Sequence, residues 1–341
     1  MTKRSLTGVI GFAVACSVSL AAQWPKQMSD APRDAQGKVR MDAPTPRTAD
    51  GKPDFSGLWM RANSGPPRGN RGRGEGGGRA GGRGRAEAPP PADAAPPDAT
   101  SAPPGSENAA ITGRGGAGGA RGGLSLEPTT APFPYDPNGP PVATFFEAGG
   151  NMEGGLPYTQ WSKDIRKKRF DEDKAKDNPD ANCMPMGFLQ FHQQPQPRRI
   201  VQLPKEIIIE YEANYGLRHI YLDRKLPEQG SVQPWWYGYS AGHWEGDTLV
   251  VETNNLRGAE DGPWDGWLDV NGSPYSEQAK FTEKFSRPTF GHLQMDITLE
   301  DPKAYTKPWT VRIDQRYLAD ETMIEFICNE NQQFRRRIKI D

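Results

Sequence analysis

Ala279 to Leu299 reads AKFTEKFSRPTFGHLQMDITL. Both ends of this stretch are apolar at every second position. Ala279, Phe281 and Phe285 alternate with Lys280, Thr282 and Lys284, and Leu293, Met295, Ile297 and Leu299 alternate with His292, Gln294, Asp296 and Thr298. Successive side chains of a strand point to opposite faces, so a period of two marks a half-buried strand. Glu283 breaks the rule: it occupies the apolar face, between Phe281 and Phe285.

The same period continues outward from this stretch. Ile207, Ile209 and Tyr211 share a face within residues 206–212, and Asn214-Tyr215-Gly216 supplies a turn. Leu217 and Tyr221 share a face in the next segment, residues 217–222. Residues 240–244 and 248–253 flank Glu245-Gly246-Asp247, a hairpin signal because glycine tolerates positive φ. Val311, Ile313, Gln315 and Tyr317 alternate with Thr310, Arg312, Asp314 and Arg316, and a last strand is expected over Thr322–Cys328, with Glu325 between Met323 and Ile327. Only Tyr158 to Lys174 reads as helical, on the spacing of Trp161, Ile165 and Phe170. Strands in succession with short connections favour antiparallel neighbours. The expected fold is therefore mainly β with few helices: an antiparallel meander forming a barrel or strongly curved sheet. Closure removes exposed edges and is preferred, with a two-sheet β-sandwich as the alternative.

The N-terminus sets the compartment. Lys3 and Arg4 precede an apolar stretch from Leu6 to Ala22 that ends in Ala21-Ala22, the layout of a signal peptide over residues 1–22. The stretch is broken by Gly8 and Gly11 and falls short of the roughly 20 apolar residues needed to span a bilayer. Cys16 after Ala13-Val14-Ala15 offers a lipoprotein site as a minor alternative. Residues 23–63 form an N-terminal segment with the first strand, and residues 124–341 the main β domain. Between them, residues 64–123 are Gly, Arg, Pro and Ala with almost no large apolar side chain, a composition expected to stay disordered. Its Arg-Gly runs are similar to RNA-binding tails. Lys+Arg 42 against Asp+Glu 43 leaves the whole chain near neutral, and the expectation is a periplasmic or extracellular protein with no nucleic-acid partner. No integral membrane segment is expected once the signal is removed. Of three cysteines, Cys16 leaves with the signal, so Cys183 and Cys328 are expected to pair in an oxidising compartment.

Thr48-Ala49-Asp50-Gly51-Lys52-Pro53-Asp54-Phe55-Ser56-Gly57-Leu58-Trp59 resembles the mature N-terminus of a large group of uncharacterised secreted bacterial proteins. Residues 242–253, GHWEGDTLVVET, resemble the same group, as do Trp267-Leu268-Asp269 and residues 301–309, DPKAYTKPW. The chain departs from the group at His243 and Tyr275, where relatives carry Arg and His. The resemblance implies secretion but transfers no activity. Gly57-Leu58-Trp59 also resembles the Gly-x-Trp that opens the first strand of lipocalin-like barrels.

Four histidines, His192, His219, His243 and His292, lack zinc-ligand spacing, so no metal site is expected. The chain has no Gly-x-Ser-x-Gly elbow, and its glycine-rich run has no flanking strand and helix to make a dinucleotide site, so no cofactor is expected either. The candidate chemistry lies in polar residues on apolar faces and in one aromatic loop. Glu283 on its apolar face and Asp269 are the candidate acid and base, because a desolvated carboxylate shifts toward a useful pKa. Trp264, Trp267, Tyr275 and Glu277, with Gln315 on a strand face and Trp236 on a second rim, are the candidate ligand contacts, since rings stack on flat molecules and carboxylates bond to them. The leading functional expectation is a barrel that binds an apolar, aromatic or lipid-like small molecule. A lyase, isomerase or hydrolase using carboxylate acid–base chemistry, and a structural envelope protein without a ligand, are the alternatives.

Overall fold

The computed structural model describes residues 28–62, 133 and 136–328. The expected signal peptide and the low-complexity insert lie outside the described residues. Among the described residues nine strands close into one barrel in chain order. They are β1 (Gly57–Arg61), β2 (Arg198–Gln202), β3 (Glu206–Tyr211), β4 (Gly216–Tyr221), β5 (Tyr239–Glu245), β6 (Thr248–Asn254), β7 (Lys280–Thr289), β8 (His292–Glu300) and β9 (Trp309–Tyr317). The barrel, not the sandwich, is the architecture. Among the described residues helix is confined to α1 (Gln160–Arg166), which runs on into a π-helical turn (Lys167–Glu172), to the short α2 (Gln190–Gln193) and to two 3₁₀ turns.

The period-two stretch forms the wall as expected. Phe281 pairs with Leu299, Glu283 with Ile297 and Phe285 with Met295 across β7 and β8, and Met295 and Ile297 pair onward with Ile313 and Val311 of β9. Directly opposed residues share a face, so these buried side chains form one inner surface. Pro288 has no N–H to give the ladder, and the β7–β8 register shifts between Ser286 and Thr289. The β5–β6 hairpin turns at Gly246, whose φ of 61° needs no Cβ strain.

Three features differ from the sequence reading. The meander is interrupted: β4 and β5 pair in parallel, through Ile220 with Ser240 and Tyr221 with Ala241. Residues 222–238 are long enough to return the chain to the end of the barrel where β4 begins, as a parallel pair requires and a tight hairpin cannot provide. Thr322–Cys328 is not a strand. β1 already fills the gap between β2 and β9, so no edge is left for another strand; Ile324 instead donates its N–H to the Glu212 carboxylate at 3.0 Å. Glu325 is accordingly exposed. Finally, β2 is a strand that the sequence reading passed over.

Cys183 and Cys328 are joined by a disulfide, with Cα atoms 5.6 Å apart. No helix among the described residues is long and apolar enough to cross a membrane.

Candidate functional site

Glu283 is fully buried. Phe281 and Phe285 flank it along β7, and Val251 and Ile297 oppose it on the neighbouring strands. Such a carboxylate is costly unless it is paired and hydrogen-bonded. Arg218 supplies the pairing: on β4 the inward positions are Arg218 and Ile220, while Leu217 and His219 face out. The guanidinium donates to Glu283 Oε1 at 2.9 Å and also to Oε2, and it reaches Ser240 Oγ at 3.1 Å and Thr253 Oγ1 at 3.0 Å. Two N–H groups on two carboxylate oxygens make a bidentate, charge-assisted pair.

His192 completes the cluster. Its Nε2 lies 3.1 Å from Glu283 Oε1, and Nδ1 lies 3.5 Å from the Tyr211 hydroxyl. Burial is the largest influence on His192 and lowers its pKa to about 4, against the opposing pull of Glu283. The ring is therefore neutral at pH 7. A neutral ring with an acceptor at Nε2 carries its proton there, so it donates to Glu283 and takes the Tyr211 hydroxyl proton's hydrogen bond at Nδ1. Burial pushes Glu283 up, but the charge of Arg218 with the hydrogen bonds from His192 and Arg218 outweighs it and holds the carboxylate below its ordinary value. Burial raises Tyr211 as well.

His192 reaches this position on a buried plug of chain, residues 186–194, that enters the barrel end. Gly187 is required there: a Cβ would stand 1.8 Å from the Trp267 carbonyl oxygen. Leu189 holds a φ of 78°, a strained value for a branched side chain. Phe188 stacks on Phe281 with centroids 4.0 Å apart and donates its N–H to the Tyr275 hydroxyl at 3.3 Å. Arg198, inward on β2, caps the end of α2 by donating to the carbonyls of His192 at 2.6 Å and Gln194 at 2.8 Å. Cationic donors at a helix C-terminus satisfy carbonyls that have no partner within the helix.

The two candidate acids do not share a partner. Asp269 is buried and accepts from Ala148 N at 2.8 Å and Ser273 N at 3.1 Å, so it pins two loops together. Burial raises its pKa, opposed by those hydrogen bonds. Trp267 is also fully buried, with Nε1 donating to the Pro263 carbonyl at 2.9 Å. Tyr275 packs edge-on against Phe281. Between Glu283 and the Trp264–Asp269 loop thus stands the Phe188–Phe281 stack. Trp264 is half-buried and Glu277 exposed. Gln315 is buried and turned to the Met295 sulfur at 3.6 Å. Trp236 carries the Arg257 guanidinium 4.9 Å above its ring, and Arg257 pairs with Asp265 at 2.9 Å, which ties the second rim to the aromatic loop.

A cavity of about 140 Å³ opens on this loop. Trp267, Ala259 and Pro263 form one side and Ile165 of α1 adds to it. Lys168, Arg169, Asp173 and Asp177, from the π-helical turn and the residues after it, form the other. Arg169 is buried with its guanidinium 4.4 Å above the Trp267 ring, donating to the carbonyls of Asp265 and Gly266 at 2.7 and 2.9 Å. The cavity holds one of the expected ligand residues and a set of charges that the sequence reading did not single out.

No protein-family model, curated protein or solved structure matches this chain. Function therefore rests on the geometry alone. No group of three or more His, Cys, Asp or Glu side chains that could hold a metal ion occurs among the described residues.

The sequence reading names His192 only as a histidine without zinc-ligand spacing, and it does not single out Arg218 or Arg169. Arg218 had a usable signal, an arginine at an inward position beside Ile220. The other two lie outside any period-two run, and no local pattern marks them.

Proposed function

We propose that this is an exported barrel protein that binds a small molecule, apolar or aromatic in its body, in the cavity at the Trp267 end. The single observation that carries this reading is the cavity itself. An engineered apolar cavity of about 150 Å³ takes benzene, so about 140 Å³ suits a ligand of one ring. The signal-like N-terminus and the disulfide support the exported compartment. We also propose membership of the secreted group that the motifs resemble. Those motifs fall on structural positions: Gly57–Trp59 opens β1, residues 242–253 form most of the β5–β6 hairpin, and Asp301 accepts from Ser276 and Ala304.

The test is native mass spectrometry of the mature protein purified without denaturation. The expected result is an extra mass of a small organic molecule, lost in Ala259→Leu, whose larger side chain fills the cavity. A bare mass for the wild type, with no member of an aromatic fragment library protected by Ala259 against Ala259→Leu, would remove the reading.

One observation favours acid–base catalysis instead: Tyr211, His192 and Glu283 form a hydroxyl–imidazole–carboxylate relay of the kind that activates nucleophiles. That reading requires the relay to be reachable from solvent. Rapid modification of His192 by diethyl pyrocarbonate in the native protein would support it, and protection until unfolding would assign the relay to stability.

A further inference from the structure

Resting on the small-molecule reading above, we infer that the ligand of the Trp267 cavity is a small monocarboxylate, with its carboxylate held by Arg169 and its apolar body against Ile165, Ala259 and Pro263. The argument starts from Arg169. It is nine-tenths buried, lines the cavity and forms no ion pair among the described residues. Its hydrogen bonds to Gly266 and Asp265 both go to neutral carbonyl oxygens, whereas a guanidinium has five N–H donors. A buried charge without a counter-charge is expensive. Burial lowers the Arg169 pKa to about 10, with the carboxylates of Asp269 and Asp265 opposing only in part. An incoming carboxylate supplies the missing charge.

The lining carries Lys168 and Arg169 against Asp173 and Asp177. Lys168 stands on the same wall, and Asp173, one of the two acids there, is neutralised by Lys176 at 2.9 Å. Asp177 is the opposing charge. Ile165, Ala259 and Pro263 offer accessible apolar surface, which a hydrated inorganic anion would not use and an organic acid would. Volume restricts the ligand to a body of about one ring. Asp265 and Asp269, the nearest candidate competitors for Arg169, are committed elsewhere: Asp265 to Arg257, and Asp269 to the N–H groups of Ala148 and Ser273.

The test uses benzoate and its uncharged isostere benzamide, titrated into the mature full-length protein at pH 7.5 by calorimetry. Benzoate is expected to bind at one site at least about tenfold more tightly than benzamide, the factor that one charge-assisted hydrogen bond supplies. Asp177→Asn removes the opposing rim charge and is expected to tighten benzoate about twofold while leaving benzamide unchanged. Ala259→Leu is expected to abolish both, and because Ala259 is only partly buried this variant keeps the fold. Benzamide binding within about twofold of benzoate, with both lost in Ala259→Leu, overturns the anion assignment and leaves the binding reading standing. Binding of neither overturns the assignment too, and the mass measurement on retained ligand then decides the binding reading separately.

Discussion

Removing a carboxylate such as Glu283 from water carries a penalty of several kcal/mol, and in this barrel Arg218 and His192 offset it only while all three stay in place. Glu283→Gln leaves a buried guanidinium without its counter-charge, and a loss of about 3–5 kcal/mol is expected in urea unfolding. The volume-matched double change Glu283→Leu with Arg218→Met should recover most of that loss. A double variant no more stable than the single one would show that the pair holds the core by more than mutual neutralisation. His192 adds a pH dependence with a definite sign. Its folded pKa of about 4 lies below the ordinary 6.5, so the unfolded chain takes up the proton first as pH falls. Stability is then full above about 6.5, declines between about 6.5 and 4, and settles below. At 1.36 kcal/mol per unit the decline is about 3 kcal/mol. Glu283, with its depressed pKa, stabilises above its unfolded value near 4.3 and loses that contribution only toward about pH 2, so the two windows separate. His192→Asn should flatten the profile between pH 6.5 and 4. An unchanged slope there would assign the dependence to another group.

Among the elements, the plug of residues 186–194 carries the most constraint. It brings His192 to Glu283, and it is fixed by Gly187 against the Trp267 backbone, by Phe188 on Phe281 and by Arg198 at the end of α2. Gly187→Ala sets a methyl group against backbone, which cannot yield as a flexible side chain can. A loss of about 1–3 kcal/mol is expected, with weaker protection of the Phe188 N–H in hydrogen exchange. Full stability in this variant would mean that the plug has room to shift. The contrast with β7 explains what sequence can carry. β7, β8 and β9 were legible because each alternates over at least four positions, and the position that broke the alternation, Glu283, proved to be the centre of the buried cluster. β2 was not legible: Arg198 is its inward residue at one end, and an arginine that caps a helix from inside a barrel looks, in sequence, like a surface charge. β4 misled differently, since its apolar Leu217 faces out and its charged Arg218 faces in. The plug is rich in glutamine and has no period, so only tertiary contact gives it a place. The Trp267 loop was legible as an aromatic concentration, but its companion Arg169 comes from a helix about a hundred residues earlier, a distance no local pattern bridges.

At the scale of the molecule, the barrel is closed by a strand from outside the covalent loop. The disulfide links Cys183, just before the plug, to Cys328, beyond β9, with a sequence separation of 145. β2 to β9 lie inside that loop, whereas β1 comes from upstream and closes the wall through Trp59 paired with Arg198 on one side and Tyr317 on the other. The cross-link therefore leaves the closing strand free and acts on everything it closes. Chain entropy puts the constraint on the unfolded state at about 5 kcal/mol for a loop of this length, and measured disulfides usually deliver about 2–4. Replacing both cysteines by serine should accordingly lower the unfolding free energy by about 2–5 kcal/mol. The same change frees the unfolded chain to expand, so more surface is exposed on unfolding and the urea m-value should rise. The m-value separates two origins of any loss. A fall in stability with an increased m-value places the effect in the unfolded chain. A fall with m unchanged would instead place it in the folded state, where Cys183 sits at a φ of 55° between Asp180 and the start of the plug, and the plug would then be the element the bridge holds.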